Sequence, residues 1–190
     1  ASHDVHVRIV NLPAGATVEV DGRDVGTNPV LTLARGDMTL AARSPDHGKL
    51  APWRFVVFEG AGKAAFVADL EAIAAAREDA GKALAKLGKI RVPPMTVAVI
   101  SRHVDGEIPE WEQRLSAGAV CAILTIAAQA MGYGANWITD WYAYDEAVGR
   151  LLQLAPGEQV AGFIHLGTAA EDPQERVRPD LAQITTVWPG

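Results

Sequence analysis

The chain is short of features that mark several large classes of protein. It has one cysteine, Cys121, in 190 residues, so no internal disulfide is possible and nothing demands an oxidising compartment. Its 17 basic residues are outnumbered by 23 acidic ones and form no stripe, which argues against a nucleic-acid surface. The first residues, ASHDVHVRIV, show no charged leader before an apolar block. We therefore expect a cytoplasmic globular protein that binds neither nucleic acid nor a membrane.

One apolar run comes close to the length of a membrane span. Residues 117–135 read AGAVCAILTIAAQAMGYGA, against the ~20 apolar residues that a span needs. Gly118, Thr125 and Gln129 interrupt the run, and its many alanines allow close helix packing. A helix that is apolar on all sides is typical of the centre of a soluble fold or of an oligomer interface. The run therefore predicts a buried core helix.

The pattern of the chain changes near Thr39. Short alternating runs with frequent glycine and proline come before it and predict β-hairpins. Strands and helices alternate after it: WRFVVFEG, a helix over 70–88 ended by Gly88, VPPMTVAVISR, the buried helix, a strand near 135–138, a helix near 145–154 and QVAGFIHLGT. This order indicates an α+β or three-layer fold.

Residues 43–55, RSPDHGKLAPWRF, concentrate hydrogen-bond donors in a turn-rich segment. Arg43, His47, Lys49 and Arg54 can all donate, and an arginine fork suits phosphate because it binds two oxygens at once. Prolines and a glycine place these donors on a shaped connection. Two interpretations stay open on the residues alone: a loop that holds an anionic ligand, or an ordinary polar loop.

Several other candidates favour structural roles. His47 beside Asp46 has no further ligands at a metal-site spacing, so we expect no metal. Ser116 lacks the frame of an exposed nucleophile, and His165 in a buried strand is expected to be a hydrogen-bonded core histidine. Helix-surface charges with local pairing are expected at Glu110, Glu112 and Arg114.

Aromatic side chains gather between residues 137 and 144. Trp137, Trp141, Tyr142 and Tyr144 are expected to form a cluster. Aromatic residues are favoured both at protein interfaces and in ligand pockets. The cluster is therefore either interface packing or a wall beside a ligand.

Three long blocks carry a family resemblance, in family order from about Thr39 to the end. RSPDHGKLAPWRFVVFEG, IPEWEQRLSAGAVCAILTIAAQAMGYGANWITDW and PGEQVAGFIHLGTAAEDPQERVRPDL resemble the compact bacterial branch of the nitroreductase family. The resemblance implies an α+β homodimer, with a mixed sheet flanked by helices around a central buried helix. It also implies FMN at the interface, NADH or NADPH as electron donor, and nitro compounds, quinones or similar small molecules as acceptors. The flavin carries the chemistry, so no catalytic side chain is implied.

The resemblance also implies site residues. Those matching family contacts to FMN are Arg43, His47, Trp137, Ile138 and Thr139, with Arg176 and Arg178 as tail cations near the phosphate. Those matching a segment linked to the nicotinamide cofactor are Ala127, Ala128, Gln129, Ala130, Met131 and Gly132.

The first 38 residues depart from that family. They lack its N-terminal helix with an Arg-Arg-Ser motif, and IVNLPAGATVEVDGRDVGTNPVLTLARGDMTL resembles a PEGA-type β repeat instead. We therefore expect a β-rich segment over 1–38 and a nitroreductase-like domain over 39–190. Two functions follow: an FMN-dependent oxidoreductase, or a non-enzymatic scaffold that has lost tight flavin binding and carries a β interaction module.

Overall fold

The computed structural model describes residues 44–171 and 174–188, together with the backbone of four short strands ahead of them. Those strands form two antiparallel pairs: β1 (Val5–Arg8) with β4 (Val30–Leu33), and β2 (Glu19–Val20) with β3 (Arg23–Asp24). The pairing agrees with a β-hairpin N-terminal segment. Its likeness to a PEGA repeat and the boundary at residue 38 remain predictions.

Four strands form the main sheet: β5 (Trp53–Glu59), β6 (Met95–Ser101), β7 (Gly134–Ile138) and β8 (Gln159–Gly167). They lie in the order β5, β6, β8, β7, and each neighbouring pair is antiparallel. The register between β6 and β8 shifts at Ala161, where a β-bulge lets two residues oppose one. The β-branched and aromatic residues of β5 and β6 suit such half-buried and buried positions.

In the part of the chain that the structure describes, six helices and one 3₁₀ turn accompany these strands. The helices are α1 (Gly60–Ala75), α2 (Ala80–Lys86), α3 (Gly88–Arg91), α4 (Glu110–Ala130), α5 (Glu146–Leu151) and α6 (Leu181–Ile184), and the 3₁₀ turn is Trp141–Ala143.

The predicted helix over 70–88 is wrong in its bounds. The chain is already helical from Gly60, and it leaves the helix between Ala75 and Ala80. Arg77 lies in that break and donates to Asp79 at 2.9 Å and to Asp145 at 2.6 Å. These ion pairs favour a turn that an alanine-rich helical pattern does not reveal. Gly88 does not end a helix but begins α3.

Two cores lie on opposite faces of the sheet. One packs α1, α2, α3 and α5 against side chains such as Ala98, Ile100 and Phe163. The other packs α4 against Trp53, Val97 and other residues of the second face. Because side chains alternate along each strand, one sheet serves both layers. The predicted α+β class is therefore confirmed, in a three-layer arrangement.

Two details differ from expectation. The strands pair antiparallel throughout the described sheet rather than as a mixed sheet, because β8 lies between β6 and β7 and runs opposite to both, and β5 runs opposite to β6. The helix expected to be buried, α4, is buried along one side only. Val120 and Cys121 are fully buried, whereas Leu115 and Ile126 are more than half exposed. No helix in the described part of the chain is both long and apolar enough to cross a membrane.

Candidate functional site

The loop over residues 44–52 is held in an unusual backbone conformation. His47, Lys49 and Ala51 all have positive φ values, of 53°, 73° and 44°. This region favours glycine, and each such residue costs about 1 kcal/mol or more unless its surroundings compensate. The Asp46 carboxylate accepts from the Lys49 backbone N–H at 3.1 Å, which stabilises the tight turn. Strained loops of this kind concentrate at functional sites.

Helix α4 ties this loop down at its first two turns. The Ser116 hydroxyl donates to the Pro45 carbonyl. His47 Nε2 lies 3.1 Å from the carbonyl oxygen of Glu112, and His47 Nδ1 lies 3.8 Å from a Glu112 carboxylate oxygen. Glu112 was expected to be a helix-surface charge with a local partner; its side chain is half exposed, but the expected local partner is wrong. Its partner is 65 residues away because the loop folds over the start of α4.

Arg54 does not belong to the group of donors that the loop offers to a ligand. Its guanidinium makes two bonds to the Glu158 carboxylate, at 2.8 and 2.7 Å. The hydrogen bond with Glu158 raises the pKa of Arg54, and the same bond lowers the pKa of Glu158. This forked pair links β5 to the start of β8 and leaves the Arg54 fork occupied.

On the sheet face that α4 covers, Trp137 of edge strand β7 lies over Gly162. Its indole N–H donates to the Ala161 carbonyl at 3.3 Å. A Cβ atom on Gly162 would lie 2.0 Å from Trp137 Nε1, so only glycine leaves room for the ring there. Trp137 is 42% exposed and stands on the sheet face that α4 covers, since it pairs with Ile164 of that core. The indole therefore presents an accessible aromatic surface beside α4.

The two residues that follow face elsewhere. Ile138 packs against the core on the opposite sheet face, and Thr139 is exposed after the end of β7. Asp140 then accepts from the Trp141 backbone N–H at 2.8 Å and pairs with Lys86 and Lys89. Any contact of Ile138 with a ligand on the Trp137 side would thus come from its backbone.

The expected aromatic cluster is split between the two faces. Tyr142 is buried with its ring 4.9 Å from Phe163, and Trp141 donates to the Ala83 carbonyl in the core that contains α2. Tyr144 is 73% exposed. Only Trp137 stands on the α4 face, because alternation along β7 and the turn after it send its neighbours elsewhere.

The candidate nicotinamide segment, residues 127–132, ends α4. Gly132 has φ of 82°, its N–H donates to the Gln129 carbonyl, and the Tyr133 N–H donates to the Ala128 carbonyl. This is a Schellman termination, which requires a left-handed residue and so favours glycine. The segment therefore has a structural role that accounts for Gly132, and its contact with a cofactor remains a prediction.

The two tail arginines lie on an exposed segment. The Arg178 guanidinium donates to the Glu175 carboxylate at 2.8 Å, and the Arg176 backbone N–H donates to the same carboxylate at 3.1 Å. Arg43 precedes the residues that the structure describes, so its predicted contact with FMN also remains a prediction.

Within one chain, the candidate residues are spread along α4. His47 lies at the start of this helix, whereas residues 127–132 form its end, and 21 helical residues span about 30 Å. Strand β7 follows from that far end. In one chain, His47 and residues 127–132 therefore lie near opposite ends of α4.

A buried glutamine shapes the site, and the sequence pattern gave no signal for it. Gln113 is 1% exposed; it accepts from the Val104 N–H and donates to the Val104 and Ile108 carbonyls, all at 2.9 Å. These bonds fasten the loop before α4 to the helix that positions Glu112. From the sequence, a glutamine between two charged residues is predicted to lie on the helix surface, and only the packing shows that Gln113 is buried.

Two buried titratable groups match their expected structural roles. His165 accepts or donates at 3.0 Å with Thr96, and burial, together with Lys63 and Lys89, lowers its pKa to about 4. Burial raises the pKa of the Cys121 thiol to about 12. Both groups are therefore uncharged near neutral pH. No group of potential metal ligands occurs among the described residues.

These features define the class of protein: a three-layer α+β fold with a strained donor loop and an exposed indole on the face of one long helix. Residues 32–168 match the sequence model of the family described as "Nitroreductase family". A relative from Escherichia coli (strain K12), named "Putative NAD(P)H nitroreductase YdjA", is 34% identical over 128 residues, covering 66% of this chain and 70% of the relative. The chain belongs to the nitroreductase family, and the prediction of an oxidoreductase is confirmed at that level.

Solved structures agree on the fold. A nitroreductase-like family protein from Bacillus cereus superposes with a TM-score of 0.70 at 19% identity, over 80% of this chain and 81% of that one. An FMN complex from Desulfovibrio desulfuricans gives a TM-score of 0.61 at 20% identity, with the same coverage. The three-layer architecture is therefore that of known nitroreductase-like proteins.

Proposed function

We propose that the chain is an FMN-dependent NAD(P)H oxidoreductase that reduces nitroaromatic compounds, quinones or similar small acceptors. Family membership carries this proposal. The relative from E. coli is named for NAD(P)H, and the structure from D. desulfuricans holds FMN. When bound, FMN supplies the redox chemistry by accepting a hydride and passing electrons on in a ping-pong cycle.

The described residues fit FMN in two parts. His47 contributes a partly exposed imidazole on a strained loop that is tethered to α4, four residues after Arg43 in the chain. Trp137 contributes a partly exposed aromatic surface, as a planar ring system requires. The protein's part would be to bind the phosphate and the ring edge with Arg43 and His47, and to cover one ring face with residues 137–139.

A homodimer would unite these parts. One stripe of α4 carries Trp111, Leu115 and Ile126, which are 68%, 53% and 64% exposed, with the half-buried Gly118 and Ala122 between them. Large apolar residues flanking small ones allow two helices to approach closely, and a two-fold interface uses the same patch twice. Two α4 helices packed antiparallel would bring the His47 end of one chain towards β7 of its partner.

The purified protein tests this function directly. We expect a yellow protein with about one FMN per chain, a dimer mass by light scattering, and loss of the flavin absorbance when NADH or NADPH is added. A protein that stays colourless in excess FMN and does not quench flavin fluorescence would leave the non-enzymatic scaffold as the better description.

Replacing Arg43 tests the loop. Arg43→Ala should weaken FMN binding by about 1.5 to 3 kcal/mol, the contribution of a hydrogen bond to a charged group. Arg150→Ala is the matched control, because Arg150 is exposed on α5, in the layer on the opposite sheet face, and pairs with Glu146. Equal affinities for both variants would remove Arg43 from the site.

A further inference from the structure

The tail of the chain leaves large apolar side chains uncovered. Over residues 174–188, here called the tail arm, every residue is exposed. Its large apolar residues have exposed fractions between 64% for Ile184 and 98% for Val177, and the others are Leu181, Val187 and Trp188. A single soluble protein rarely leaves so large an apolar surface in contact with water. We therefore expect the tail arm to pack against another surface.

The tail arm has local structure but does not pack on its own chain. The Asp180 carboxylate accepts from the Ala182 N–H at 3.0 Å at the start of α6, and the Arg178 guanidinium donates to Glu175. Among the described residues, the hydrogen bonds of the tail arm all stay within it, and its apolar side chains belong to neither of the two cores. The surface that covers these side chains therefore belongs to another molecule.

The chain leads into the tail arm from a point beside the end of α4. Strand β8 ends at Gly167, which pairs with Gly134, the first residue of β7. A Cβ atom on Gly134 would lie 3.3 Å from the Ala169 Cβ, so the chain still lies against β7 as it leaves the sheet. Strand β7 in turn begins shortly after Ala130, the last residue of α4. The chain therefore departs near the Ile126 end of the exposed apolar stripe on α4.

We propose that two copies of the chain exchange their tail arms, so that each arm packs across the body of its partner. This inference rests on the proposed function, because the antiparallel pairing of two α4 helices places the end of one helix beside the start of the other. An arm that leaves at the end of its own α4 then lies over the first turns of the partner's α4. The chain from Gly167 to Trp188 can extend about 70 Å, which exceeds the ~30 Å length of α4.

A second copy of this chain fits the uncovered surfaces because each copy carries both of them, and one two-fold arrangement covers both at once. At roughly 100 Å² for each large apolar side chain, two α4 stripes offer roughly 600 Å² and two tail arms roughly 1,000 Å² more. A specific interface needs about 1,000 Å². The stripes alone fall short of that area, whereas the stripes and the arms together exceed it.

A photo-crosslinker in place of Leu181 shows which body the tail arm touches. With p-benzoylphenylalanine at this position of the full chain, irradiation of the purified protein should join two chains covalently. The matched control carries the same group in place of Val92, which is 82% exposed between α3 and β6, and its chains should stay single. Cross-links confined to one chain would overturn the exchange. So would the absence of any cross-link from Leu181, because the arm would then be uncovered or await a different partner.

The dissociation constant of the dimer tests the energetic part of the proposal. The double variant Val177→Ser with Leu181→Ser should raise this constant by at least about a hundredfold, because four apolar side chains per dimer leave the interface. Val92→Ser removes an exposed valine from the opposite sheet face and should leave the constant unchanged. Sedimentation measures all three proteins. An unchanged constant in the double variant would overturn the exchange while the α4 dimer stands. If the unmodified chain sediments as a monomer, the proposed dimer fails, and the exchange of arms fails with it.

Discussion

Gly162→Ala is expected to destabilise the protein through one side chain, Trp137. The new Cβ would lie 2.0 Å from Trp137 Nε1 and 2.4 Å from Cδ1, well inside any tolerable contact. The backbone of β8 is paired on both sides, so the partly exposed indole must move instead. When it moves, it loses its bond to the Ala161 carbonyl and its packing on the strand.

The expected size follows from two opposing terms. Loss of one hydrogen bond and of the indole packing costs about 1 to 2 kcal/mol. Alanine in place of glycine within a strand gains about 0.5 to 1 kcal/mol, because glycine loses more backbone entropy on folding. We therefore expect Gly162→Ala to lower the free energy of unfolding by up to about 1.5 kcal/mol.

The same substitution should stabilise the protein once the Trp137 indole is removed. In a Trp137→Ala background, Gly162→Ala should raise the free energy of unfolding by about 0.5 to 1 kcal/mol, since only the glycine term remains. Urea unfolding of the four proteins in this cycle measures the coupling. A destabilisation of equal size in both backgrounds would show that the obstacle is not Trp137 and would refute the reasoning.

Two further predictions concern buried polar groups. Gln113→Leu should lower the free energy of unfolding by about 2 to 3 kcal/mol, because three backbone groups lose their hydrogen-bond partner. Gln129→Leu, at an exposed position of α4, is the control and should change the free energy of unfolding by less than about 0.5 kcal/mol. Similar losses for the two variants would contradict the hydrogen bonds assigned to Gln113. Burial lowers the pKa of His165 to about 4 in the native protein. Between pH 6.5 and 4, the His165 imidazole is therefore protonated in the unfolded chain but stays neutral in the native protein. The free energy of unfolding should therefore fall by about 3 kcal/mol as the pH falls over that interval. In urea unfolding, His165→Gln should remove this part of the dependence of the free energy of unfolding on pH. An unchanged pH dependence would assign it to other groups.

Much of the fold could be predicted from the chain alone. The apolar runs of β5, β6 and β8 are local signals, and these strands lie where their patterns predicted them. The alanine-rich run over 117–135 predicted a helix there, but α4 begins earlier, at Glu110, and ends earlier, at Ala130. The break between α1 and α2 was missed because the ion pairs of Arg77 that favour it include one with Asp145, far along the chain.

The site was predictable only in part. The resemblance of three blocks singled out His47 and Trp137, and the family is now established for the chain. Pattern gave no reason to separate Trp137 from Trp141, or Glu112 from Glu110. These pairs differ in what they contact across the fold: Trp137 covers Gly162, and Glu112 meets His47.

The sequence by itself determined the family, the α+β class and the residue types available for binding, because periodicity and ordered blocks are properties of the chain. Only the tertiary structure decided which of the hydrogen-bond donors in residues 43–55 are already bonded within the protein. Arg54 is occupied by Glu158, which is 104 residues away, and His47 is held by the first turn of α4. Partners so distant in sequence are chosen by packing, and no local pattern encodes them.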